Sequence, residues 1–137
     1  YIKYSTSLSI RVNPFESEYI CFLQYISLAE QIKHKYDLSS EEMEAVYCSL
    51  MICFRRALKT DYLPGNSILR KARLKHLRQL VDTRLEIIRF YYRPVYKIDL
   101  LGKYLLLHRM FYLYDLLMIT VFFLGIRSVF LSPKIVL

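Results

Sequence analysis

The chain has 137 residues, 55% of them hydrophobic, with a formal net charge of +8. That length suits one domain with its own core, and that hydrophobic fraction excludes a disordered chain. Only 3 Gly and 4 Pro leave few turns, which excludes many short strands and points to an all-α protein of a few long helices.

Residues 1–14 alternate polar and apolar side chains up to Asn13-Pro14 and read as an N-terminal arm. From Phe15 to Tyr36, Tyr19, Phe22, Leu23, Ile26, Ala29 and Ile32 recur at three and four, with Glu16 and Glu18 early and Lys33, His34 and Lys35 late. This is the period and charge polarity of a helix. Ser39, with Glu42 three residues on, is a capping box for a second helix. Its stripe is Met43, Val46, Tyr47, Leu50, Met51, Phe54 and Leu58, and it ends in the segment Asp61 to Asn66, which holds Pro64-Gly65.

A third helix is expected from Ser67 to Tyr92, stopping where Arg93 precedes Pro94. Leu74, Leu77, Val81, Leu85, Ile88 and Tyr92 fall on one face, and Lys71, Lys75, Arg78, Arg89 and Arg93 form a neighbouring stripe. From Ile98 to Ser128 the pattern is apolar on nearly all sides, as in a helix buried in protein or in lipid. Together these elements predict an antiparallel up-and-down four-helix bundle over residues 15–128, oligomeric, followed by an apolar tail over 129–137.

The pI near 9.4 favours polyanions, either nucleic acid or an acidic membrane surface. The excess is concentrated between Asn66 and Arg93, where Arg70, Lys71, Arg73, Lys75, Arg78, Arg84, Arg89 and Arg93 stand against only Asp82 and Glu86. Those eight bases are the candidate nucleic-acid contacts, since guanidinium groups match phosphate in a planar, bidentate fashion and each neutralised phosphate releases counterions. The bland alternative is a solvated face, with Asp82 pairing locally to Arg78 and Glu86 to Arg89. Tyr91, Tyr92 and Tyr96 beside Arg93 suit either stacking on unpaired bases or covering the core with their rings.

The span Met110 to Ile126 is apolar apart from Asp115 and Thr120 and is flanked by Arg109 and Arg127. It suits a helix buried in the bundle or in an oligomer, and also a membrane span, although it is short for a bilayer and carries an acid. Cys21, Cys48 and Cys53 form no Cys-x-x-Cys pair and lie within apolar helical pattern. They read as reduced, buried thiols in an intracellular, cytoplasmic setting, with a membrane or organelle as the alternative. A start at Tyr1 rather than Met is expected of a processed product or a fragment.

His34, His76 and His108 are scattered, and Gly65, Gly102 and Gly125 are too far apart to form a phosphate loop. With no nucleophile elbow or paired carboxylates either, we expect no catalytic residues, no metal, no cofactor and no enzymatic activity.

The segment LPGNSILRKARLKHLRQLVDTRLEII, Leu63 to Ile88, places a Leu-Arg step at Leu77-Arg78 in a basic, leucine-rich third helix, and LGIRS follows at Leu124 to Ser128. Over about Leu38 to Ser128 the chain resembles the accessory variability determinant proteins of diversity-generating retroelements. It departs from them in having no Trp, no paired glycines and a more apolar last helix. The resemblance implies a homopentameric barrel of four-helix protomers without catalysis of its own. Such an adaptor binds a reverse transcriptase and structured RNA, here through Arg70, Lys71, Arg73, Lys75, Arg78 and Arg84. A structural subunit of a membrane complex, with its helix near 110–126, and a component of a ribosome-like particle are the competing expectations.

Overall fold

The computed structural model describes residues 14–64, 66 and 68–124, so the expected arm, apart from Pro14, and the expected tail lie outside the described residues. The described residues are helical, with six helices and no strand among them. The described part of the chain is all-α, as the composition implies.

Helix α1 (Phe15–Lys35) starts behind Pro14, whose carbonyl accepts from the Ser17 and Glu18 amides at 3.2 and 3.4 Å. It buries Phe15, Glu18, Phe22, Ile26 and Ala29, a stripe at the expected helical spacing. Helix α2 (Ser40–Thr60) opens on the capping box read from the sequence: the Glu42 amide donates to the Ser39 hydroxyl at 3.2 Å, and the Ser39 amide donates to the Glu42 carboxylate at 3.3 Å. Its buried face, which includes Tyr47, Leu50, Met51, Phe54, Ala57 and Leu58, packs along α1 and also touches the two helices that follow.

The third helix is not continuous. It forms as α3 (Arg70–Thr83) and α4 (Leu85–Tyr91), starting three residues later than expected and broken at Arg84, where φ is −150° and ψ 72°. No Gly or Pro marks this break. The two residues at it are both engaged by α1: the Thr83 hydroxyl is 2.7 Å from the Tyr19 hydroxyl and also donates to the Gln79 carbonyl, while Arg84 pairs with Glu30. A threonine hydroxyl bonded back to the preceding turn is a known cause of helix bending.

The long apolar helix is likewise two, α5 (Lys97–Leu107) and α6 (Phe111–Phe123). Arg109 lies in the left-handed region at φ 59°. The Arg109 amide donates to the Leu106 carbonyl at 3.1 Å and the Met110 amide to the Leu105 carbonyl at 2.8 Å. This is a Schellman turn with arginine in the place that glycine usually fills. The turn folds α6 back against α5, closely enough that a methyl on Gly102 would come within 3.1 Å of the Tyr114 ring. Six helices thus stand where four were expected, with α3 and α4 together covering the third and α5 and α6 the fourth.

The core joins Phe22, Ile26, Phe54, Leu58, Leu80, Val81, Ile88, Leu106 and Met118, residues from all six helices. Because the α2 cap satisfies donors that would otherwise face solvent unpaired, Ser39→Ala is expected to destabilise the chain by about 1 kcal/mol. Denaturant titration checks this, the midpoint falling while its slope stays constant.

Candidate nucleic-acid interface

The eight bases expected to contact nucleic acid divide into groups with different physical roles. Arg73 belongs to the interior, its side chain only 14% exposed. Its Nε donates to Asp115 Oδ1 at 2.7 Å, one Nη donates to Asp115 Oδ2 at 3.1 Å, and the other reaches the Ile68 carbonyl. Asp115 is 0% exposed and also accepts from the Tyr62 hydroxyl at 2.7 Å. A buried carboxylate requires this kind of complete partnership, since removing a charge from water is costly unless its lone pairs are filled. Hydrogen bonding to Asp115 raises the Arg73 pKa, and burial, followed by the same carboxylate, raises that of Tyr62.

Arg70 lies at the edge of the same cluster. Its Nε is 3.5 Å from Asp115 Oδ2, and its guanidinium donates to the Tyr112 hydroxyl at 3.1 Å while lying 5.0 Å from that ring's centre. Arg84 is half-buried and Arg93, just past the end of α4, is exposed, and they pair with Glu30 of α1 and Glu44 of α2. The local pairs Arg78 with Asp82 and Arg89 with Glu86, expected of a solvated face, do not form. Asp82 is taken instead by Arg109, whose hydrogen bond holds the Asp82 carboxyl below the usual carboxylate range.

What remains is an outward row. Lys71, Lys75 and Arg78 are exposed and follow one another at four and three residues along α3, which places them on one face. The Arg78 guanidinium lies 5.8 Å from the centre of the Phe111 ring, and that of Arg109 lies 5.5 Å from it. Arg89 is exposed on α4. Among the described residues Lys71, Lys75, Arg78 and Arg89 make no ion pair. Arg109 lies beside the row at the α5–α6 turn but is paired with Asp82.

The tyrosines beside Arg93 cover the core. Tyr92 and Tyr96 are buried, and Tyr91 stacks on Tyr47 with ring centres 4.9 Å apart. The Tyr92 hydroxyl donates at 2.7 Å to Asp99, which also accepts from Arg55 at 3.0 Å and from the Val95 amide at 2.9 Å. A third buried acid, Asp61, is hydrogen-bonded to His76, its Oδ2 lying 2.7 Å from Nδ1, and the His76 ring stacks on Phe15 at 3.9 Å. Burial, the largest influence, raises the Asp61 pKa against the lowering effect of His76. Arg55, Tyr92 and His76 therefore serve buried acids, a role that sequence spacing had not revealed.

Among the described residues no group of His, Cys, Asp and Glu side chains could hold a metal ion. No helix among them is long and apolar enough to cross a membrane. The 13 residues of α6 span only about 20 Å, against a hydrocarbon core of about 30 Å. Comparison with protein-family models, curated proteins and solved structures finds no match to the chain.

The two kinds of arginine are expected to differ sharply on substitution. Asp115→Ala leaves the Arg73 charge buried without its partner and should cost about 3 kcal/mol or more. Arg84→Gln, at a partly exposed pair, should cost less than about 1 kcal/mol. Chemical denaturation of the two variants beside the parent chain gives both values.

Proposed function

We propose that the chain is a non-catalytic helical adaptor that binds structured RNA along the outward row of α3 and presents a separate surface to a protein partner. The single observation behind this reading is the row itself: Lys71, Lys75 and Arg78 share one helix face and make no ion pair among the described residues, in a chain of net charge +8. Interior arginines of this protein are matched to carboxylates, so an unmatched row on the outside is the part of the charge that the fold does not need. Positive rows of this kind attract phosphate by counterion release. Arg70 adjoins the proposed contact set and Arg89 is exposed on α4, whereas Arg73, Arg84, Arg93 and Arg109 are paired with carboxylates of other helices.

The resemblance to accessory variability determinant proteins supports a reverse transcriptase as the partner and a homo-oligomer as the working form, in the cytoplasm. In this reading α3 with α4 act as the third member of the protomer, and the hairpin of α5 and α6 takes the place of the fourth. Exposed apolar side chains on the last two helices, Leu100, Leu101 and Tyr104 on α5 with Leu113 and Leu116 on α6, supply a surface on which copies or a partner can associate.

Binding of a structured RNA hairpin should weaken steeply with salt. Replacing Lys71 and Lys75 together by Glu is expected to lower affinity at least tenfold and to flatten the salt dependence by about one unit of slope per lost phosphate contact. Arg84→Gln should leave both nearly unchanged. Fluorescence anisotropy across a salt series reads these outcomes, and affinity indifferent to salt would remove RNA binding by this row. The mass of the purified chain in solution tests the oligomer, a discrete ring being expected and a monomer contradicting it.

A further inference from the structure

The antiparallel packing of α1 on α2 brings together two groups that the proposed binding surface does not use. Glu18 and Arg56 meet at 3.0 Å, and the Phe22 and Phe54 rings lie 5.6 Å apart. Cys21 is one turn along α1 from Glu18, and Cys53 is one turn back along α2 from Arg56. The same antiparallel register, read from Glu18–Arg56 and Phe22–Phe54, therefore sets the two cysteines opposite each other across the α1–α2 contact. We propose that Cys21 and Cys53 form an oxidative modification site, a dithiol that a hydroperoxide closes to a disulfide between α1 and α2 and that a thiol reductant reopens.

Cys21 is half-buried and Cys53 buried, so the oxidant reaches Cys21 first. The Cys21 sulfur gives up its proton and attacks a peroxide oxygen. The O–O bond breaks, Cys21 becomes a sulfenic acid, and the departing oxygen takes the proton to leave as water when the oxidant is hydrogen peroxide. The Cys53 sulfur then attacks the Cys21 sulfur, forming the S–S bond and expelling the sulfenic oxygen, which leaves with the Cys53 proton as a second water. Two electrons pass from the sulfurs to the peroxide.

Burial, and then the neighbouring Cys21 thiol, push the Cys53 pKa up to about 11, with Arg56 opposing and Glu18 adding to the rise. Ring closure by Cys53 is therefore slowed at neutral pH, because the thiolate is the attacking form. Its rate rises with pH below that value.

The test treats the full chain with hydrogen peroxide, blocks free thiols by alkylation, and maps the peptides by mass spectrometry without reduction. The expected product is a peptide joining Cys21 to Cys53, formed in the parent chain and in Cys48→Ser, absent in Cys21→Ser, and lost on adding dithiothreitol. Oxidation should also raise the apparent Tm by several degrees, since a cross-link restricts the unfolded chain. The mapping of the parent chain stands even if a variant folds poorly. Cys21 stopping at a sulfinic acid while Cys53 stays free, or linking to Cys48 or to a second chain, would overturn the proposal.

Discussion

A fully buried carboxylate in the most apolar helix governs how the second half of this chain folds. Asp115 lies on α6, among residues that could otherwise pack in almost any rotation, because α6 is apolar on every side. Placing a charge there removes that freedom. The helix can be buried only in the rotation that brings Asp115 to Arg73 and Tyr62, since an unpaired buried charge costs more than a poorly packed leucine. The ion pair thus fixes which face of α6 meets α3, a choice that hydrophobicity alone leaves open.

The same device recurs on the other side of the core. Asp99 on α5 draws in Arg55 of α2, Tyr92 and the Val95 amide, so the segment between α4 and α5 is held by one carboxylate. Glu18 of α1 is matched to Arg56 of α2. A strongly basic chain with few acids therefore uses its buried acids as registration points, Asp115, Asp99 and Glu18 each taking an arginine and Asp61 taking His76. The outward row on α3 is what remains after that internal demand is met.

Sequence reading and structure agree where local signals are strong. The α2 start was legible because a capping box is written in four residues, and α1 because its apolar spacing and end charges concur. The breaks at Arg84 and Arg109 were illegible because neither uses Gly or Pro. One depends on Tyr19 and Glu30, more than fifty residues away, and the other on an arginine held in a glycine-type turn beside Asp82 and Phe111. The basic segment itself was plain from composition. Its division into interior and exterior bases was not, since Asp115, Glu30 and Glu44 lie on other helices and no periodicity in α3 announces them.

The most direct measurement is a double-mutant cycle on Asp115 and Arg73, using Asp115→Asn, Arg73→Met and the pair in equilibrium unfolding. If this ion pair sets the seating of α6 on α3, each single change is strongly destabilising and the double variant recovers part of the loss, giving a coupling above about 1.5 kcal/mol. Losses that simply add within about 0.5 kcal/mol would contradict the account and would leave apolar packing alone as the organiser of α6.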